Sequence, residues 1–311
     1  MNTLTPPPAP HPSPAAPTPI LRIEKLEKHF DSFSLRDASF TVEPGTIVGL
    51  VGSNGAGKTT IIKSILGIIS PDSGSIALFG EEVVGAFSKR LAKLKQDIGV
   101  VFDSCSFPDE YRVESTARAM RSVYEKWDDE AFRHLAQAFR LSPKSKVKDL
   151  SRGMGMKLSL ACALAHKPRL LILDEATAGL DPIARDEVLD MLRGFIAEDE
   201  SRAVLMSTHI TSDLDKAADR IVCIDDGAVA FDVGKDAIDQ AGIALCRKSD
   251  TDAIGESMDY SEGELRFERD ACAVRVLVPD RFAFAERFPS IPVEAVDVET
   301  YMRLMLKGAL R

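Results

Sequence analysis

Two hydrophobic rhythms run along this chain. Near the start, Leu21, Ile23 and Leu26, then Ala38, Phe40 and Val42, alternate with polar residues, the period of half-buried strands. Short unbroken apolar runs follow at Thr46 to Val51, Ile98 to Phe102, Leu170 to Leu173, Ala203 to Met206 and Ile221 to Ile224. Their length and β-branched content predict strands buried on both faces. Between them the period becomes helical. Ile61, Ile62, Ile65 and Leu66 share one helix face and Gly67 offers a stop. Helical patterns also cover 89–97, most of 110–166, 182–198 and 211–219. Strands alternating with helices predict an α/β layer with parallel pairing at its centre.

The two ends differ from this middle. Residues 5–19 carry eight prolines, Pro6, Pro7, Pro8, Pro10, Pro12, Pro14, Pro17 and Pro19. Such a stretch predicts a disordered, partly polyproline tail over 1–19, read either as a passive linker or as an SH3-type ligand. Beyond about residue 240, strand-like segments at 264–267 and 273–278 precede an amphipathic helix over 298–310. This last part reads as a small α+β C-terminal appendage over 240–311, either structural padding or a dimer contact or regulatory element.

Composition narrows the class. With 45% hydrophobic and 28% charged residues the chain is ordinary globular protein. No apolar run approaches the roughly 20 residues of a membrane span, so any membrane role passes through a partner. The formal charge of −9 argues against nucleic acid as a partner. Five scattered cysteines with no Cys-x-x-Cys pair fit a reduced, cytoplasmic setting.

The most specific chemistry lies between the strand at 46–51 and the helix after it. Gly52-Ser53-Asn54-Gly55-Ala56-Gly57-Lys58-Thr59 has the spacing of a phosphate-binding P-loop. Gly52, Gly55 and Gly57 let the backbone wrap phosphate closely, and the loop N–H groups and helix N-terminus form an anion nest. Lys58 would neutralise the β- and γ-phosphates, and Thr59 would give its hydroxyl to Mg²⁺. The ligands so implied are ATP-like nucleotides and Mg²⁺. A second constellation is the apolar strand that ends in Asp174-Glu175. In a P-loop fold this strand is expected beside the P-loop strand, with both carboxylates at the ligand edge. Asp174 would hold Mg²⁺ directly or through water, and Glu175 would orient or deprotonate the attacking water.

From Leu21 to Ala230 the chain resembles the ATP-binding subunit of an ABC transporter, of the bacterial antibiotic-resistance and export branch. Leu150-Ser151-Arg152-Gly153-Met154 stands at the family's signature position, Ala178-Gly179-Leu180-Asp181 resembles its D-loop, and Ser207-Thr208-His209 its switch histidine. The resemblance implies an α/β P-loop fold of ABC type spanning 20–235. That fold has a mixed sheet core, an antiparallel β subdomain and a helical subdomain over about 104–165. It also implies ATP hydrolysis in a head-to-tail homodimer or heterodimer. In it Ser151 and the Gly153 backbone contact the partner's γ-phosphate, with Asp181 and Thr60 also at the nucleotide. His209 would hold the γ-phosphate and the attacking water, and Phe30 stands where an aromatic stacks on adenine, its alternative reading being core. Separately encoded transmembrane permease subunits would hold the protein peripherally on the inner face of the cell membrane, powering export of an unknown substrate. They would dock on the helical region, where Phe107, Tyr111 and Trp127 are either apolar anchors or internal core.

Two positions depart from the family pattern. Asp103 replaces the usual metal-contacting Gln, keeping an oxygen ligand on a shorter, charged arm. Arg152 replaces a Gly and would face the partner's ATP or point to solvent. A soluble ABC-type ATPase in regulation or assembly, and an importer subunit, are the alternative readings.

Overall fold

The computed structural model describes residues 18–83, 89–247, 265–269 and 274–310. The proline-rich stretch 1–17 lies outside the described residues.

Three sheets organise the chain. The central one has six strands: β3 (Ile47–Val51), β6 (Ile98–Val101), β7 (Leu170–Asp174), β8 (Ala203–Thr208), β9 (Arg220–Asp225) and β10 (Ala228–Gly234). Their order is β10-β9-β3-β8-β7-β6. All pairs are parallel except the β9–β10 hairpin at the edge. Its two-residue turn, Asp226-Gly227, has φ of 43° and 77°, the left-handed pair that an Asp-Gly turn supplies. An antiparallel sheet of β1 (Leu21–Phe30), β2 (Phe33–Val42), β4 (Ser73–Leu78) and β5 (Glu81–Glu82) covers one face, in the order β2-β1-β4-β5.

The strand residues sort by parity, as a pleated layer demands. Leu170, Ile172, Leu205, Val48 and Leu50 face the antiparallel sheet and helix α1 (Lys58–Ile65), in one core with Ile61, Ile62 and Ile65. Leu171, Leu173, Val204 and Met206 face α5 (Arg152–Leu164) and α6 (Pro182–Glu198), packing on Leu160, Val188 and Leu192.

The lateral order of the strands departs from the expectation. The Asp174 strand, β7, is not beside the P-loop strand; β8 lies between them. All three strands are continuous buried runs, so their pattern carries no information about lateral order. The parallel register preserves the consequence that matters: Ser207 of β8 stands opposite Leu50 on one side and Asp174 on the other.

Helix α2 (Lys89–Leu94) precedes β6, and after it come α3 (Val113–Val123), α4 (Asp129–Ala138) and α5. Phe107 and Trp127 pack against the core that these helices share, and the Trp127 indole N–H donates to Asp129 at 2.9 Å. Tyr111 is 41% exposed and stays outside that core.

Past α7 (Thr211–Ala217), β10 and α8 (Lys235–Gln240), the chain forms a third, antiparallel sheet. It comprises β11 (Gly242–Cys246), β12 (Arg266–Arg269), β13 (Val274–Val278), β14 (Val293–Ala295) and β15 (Ala309–Leu310), ordered β14-β11-β13-β12-β15. Helices α9 (Arg281–Arg287) and α10 (Val298–Lys307) belong to this part. The amphipathic helix predicted over 298–310 ends at Lys307, because Ala309 and Leu310 pair with β12 instead. Buried Val298 and Leu304 of α10 join Leu214, Ala218 and Ile221 in one core. Among the described residues no helix is long and apolar enough to cross a membrane.

His166, just after α5, is fully buried and stacked on Tyr124 with ring centroids 3.8 Å apart. Burial pushes its pKa down to about 4 from an ordinary 6.5. The unfolded chain therefore binds a proton below about pH 6.5 that the folded chain refuses until about pH 4, and stability falls as pH drops through that window. We expect this residue to cost about 2 kcal/mol between pH 7.5 and pH 5. Urea unfolding at both pH values should show a shallower loss for His166→Phe, and equal losses in the two proteins would refute the assignment.

Candidate functional site

The loop between β3 and α1 is shaped by its glycines. A side chain at Gly52 would strike the Ile224 carbonyl, and one at Gly57 (φ +120°) would stand 3.0 Å from the Phe33 ring. Gly55 (φ +86°) has nothing within 4 Å and faces open space. Lys58 opens α1 and is 4% exposed. Its ammonium donates to the Gly52 carbonyl at 2.8 Å and the Ser53 carbonyl at 3.2 Å, and lies 3.4 Å from Glu175 Oε1.

The ends of β7 and β8 bring the carboxylates to the same edge. Asp174 is 6% exposed; its Oδ1 accepts from Ser207 Oγ at 2.6 Å and from Thr59 Oγ1 at 3.3 Å. Glu175 leaves the strand with φ of +53°, a left-handed conformation costly for a side chain with a Cβ. The Ser207 carbonyl and hydroxyl oxygens both accept from its backbone N–H at 3.1 Å. So held, its carboxylate is shared: Oε1 meets Lys58, and Oε2 lies 2.6 Å from His209 Nδ1. A carboxylate only accepts, so Nδ1 carries the proton.

A cavity of about 870 Å³ opens over these groups. Of the residues predicted from the sequence, Phe30, Asn54, Gly55, Gly57, Lys58, Thr59, Thr60, Asp103, Asp174 and Glu175 line it. Gly52 and Ser53 contribute through the carbonyls that hold Lys58, Ala56 is buried behind the loop, and His209 connects through Glu175. Phe30 is 44% exposed, so it is not core; it stacks on Phe33 with centroids 6.3 Å apart. Ser151, Gly153 and Asp181 are not among the lining residues. Ser151 caps α5 by accepting from the Met154 N–H at 3.3 Å, and Asp181 caps α6 by accepting from the Ala184 N–H at 3.0 Å.

Phe33 and Ser207 are among the lining or supporting residues to which the sequence assigned no part. Phe33 widens the aromatic wall and Ser207 holds Asp174; Arg152, expected to face the partner's ATP or solvent, is exposed and also lines this chain's own cavity. Ser207 lies within the Ser-Thr-His motif, which is the signal that could have found it. Phe33 has no comparable signal.

The donor set suits a hard divalent cation. Thr59 and Asp174 present oxygens only, 3.3 Å apart, next to a loop built for phosphate. Among the described residues no group of three or more His, Cys, Asp or Glu could form a metal cage. The Thr59 hydroxyl and the Asp174 carboxylate are the side chains that could hold Mg²⁺, a cation that binds through one or two protein oxygens together with phosphates and water.

The chain is similar to several known proteins. The family model described as ABC transporter matches residues 35–178. The "ABC transporter ATP-binding protein YtrB" of Bacillus subtilis is 31% identical over 234 residues, 75% of this chain and 78% of that protein. "Nod factor export ATP-binding protein I" of Rhizobium leguminosarum bv. viciae is 39% identical over 202 residues, 62% of each chain. A solved "ATP binding subunit of ABC transporter" superposes with a TM-score of 0.63 at 27% identity, covering 70% of this chain and 91% of that one. A "post-hydrolysis state" cassette bound to ADP and Pi shares the fold at 21% identity and TM-score 0.60, over 69% of this chain and 98% of its own. Carrying the P-loop, the carboxylate pair and the histidine on this fold, the chain belongs to the ATP-binding subunits of ABC transporters and is an ATPase of that family.

Proposed function

We propose that this subunit powers export of a substrate through separately encoded membrane subunits, by closing as a head-to-tail dimer on two ATP molecules. The observation that carries the reading is Glu175, held between Lys58 and His209 beside the Thr59–Asp174 pair. Export is favoured over import by the names of the relatives, several of which are Nod factor export proteins at 34–39% identity.

ATP would enter with its adenine on Phe30 and its phosphates in the loop 52–59. Lys58 would exchange loop carbonyls for phosphate oxygens, a like-for-like replacement of acceptors around one buried ammonium. Mg²⁺ held by Thr59 and Asp174 would offset the charge that develops on the transferring phosphoryl group. Glu175 accepts the proton of the attacking water, and His209 fixes the carboxylate by donating from Nδ1. Asp103 would add an oxygen ligand at the far wall.

Ser151 and Gly153, at the N-terminus of α5, would meet the partner's γ-phosphate. ATP then favours the closed pair because it touches both subunits there, and hydrolysis removes those contacts. The membrane subunits would hold the protein on the cytoplasmic face of the membrane.

Glu175→Gln keeps the shape and removes the base. Phosphate release should fall by a factor of about 10² to 10⁴, while fluorescent ATP still binds; hydrolysis at the wild-type rate would remove Glu175 as base. The same variant should double its mass in light scattering when ATP and Mg²⁺ are added, and a monomer at saturating ATP would contradict the shared site. A polytopic membrane protein should co-purify with this chain from detergent-solubilised membranes, whereas recovery of the ATPase alone would favour a soluble role.

A further inference from the structure

Arg152 turns back into its own chain. Its Nη2 donates to the Asp103 carbonyl at 3.4 Å. Its guanidinium packs against Gly179, so close that a side chain there would stand 2.6 Å from Nη1. Gly179 has φ of +73° and offers no Cβ, which is what admits the guanidinium. Asp103 and Ala178, beside Gly179, both line the ATP cavity. Arg152 is also the first residue of α5, directly after its cap Ser151. One side chain therefore joins two loops of this subunit's cavity to the helix end that carries Ser151 and Gly153.

We propose that Arg152 is a positioning residue that couples the two ATP sites of the dimer. The inference rests on the head-to-tail reading above. A guanidinium can donate to one loop while packing against another, whereas the glycine usual at this position does neither. Nucleotide moving the Asp103 loop or the 178–179 turn would thereby shift the α5 N-terminus, which faces the other site. Coupling of this kind appears as cooperativity between sites, not as affinity at one.

The test compares wild type, Arg152→Met and Arg152→Lys. Met keeps the apolar stem and removes the fork; Lys restores one charged donor. For Arg152→Met we expect the Hill coefficient of ATP hydrolysis to fall toward 1 and kcat to drop about fivefold or more. Fluorescent ATP should lose less affinity for the dilute monomer than hydrolysis loses in kcat. Arg152→Lys should recover part of both losses. Unchanged cooperativity and kcat in Arg152→Met would overturn the proposal, and so would a matching loss of monomer affinity, which marks a local defect. Light scattering of Glu175→Gln separates the two levels. If that variant pairs with ATP while Arg152→Met behaves as wild type, the coupling fails and the dimer stands. If it never pairs, both fall.

Discussion

A buried ammonium must be surrounded by acceptors, and the site is arranged around that requirement. Lys58 is almost fully enclosed, and the Gly52 and Ser53 carbonyls and the Glu175 carboxylate answer its charge. Leaving such a cation unpaired would cost several kcal/mol, of the order seen when one partner of a buried pair is removed. The glycines let two carbonyls turn inward, and the helix behind fixes the lysine stem. Phosphate oxygens would satisfy the same need, so one arrangement would serve both folding and ligand recognition.

The second constraint is the common edge of β3, β7 and β8. Parallel strands in register end together, so the loop after Val51, the carboxylates after Leu173 and the histidine after Thr208 emerge side by side. Ser207 is the joint: its hydroxyl donates to Asp174 and accepts from the Glu175 N–H. That double role supports Glu175 in its left-handed conformation, a strain of roughly 1–3 kcal/mol that surrounding bonds must hold. In return the carboxylate turns toward Lys58 and His209 instead of following the strand outward.

How much of this was legible depends on whether a residue acts through its neighbours in the chain. The P-loop and Asp174-Glu175 were readable because strand, loop and helix are consecutive, and each type has a local reason to be there. The place of β8 between β3 and β7 was not, since Val204, Leu50 and Ile172 stand in equally apolar runs. The fate of Arg152 depends on Gly179, 27 positions away, having no side chain, and pairwise space of that kind leaves no period in the sequence. Phe30 was ambiguous for the same reason: an aromatic reads alike whether it is covered or left open beside Phe33.

The C-terminal part shows the same limit on a larger scale. Its strands and helix were visible in outline, yet their relation to the rest was not. In the fold α10 packs on α7, the Asp215 carboxylate accepts from the Val298 N–H at 3.2 Å, and Tyr301 meets Phe231 edge-on at 5.6 Å. Full burial of Val298 and Leu304 contributes about 1.5–3 kcal/mol each. Those side chains cover Leu214, which itself fills the space left by Gly49 on the P-loop strand. The appendage is therefore continuous with the hydrophobic layer under the site: Gly49 is bare so that Leu214 of α7 can approach, and Val298 and Leu304 of α10 join Leu214 in one core.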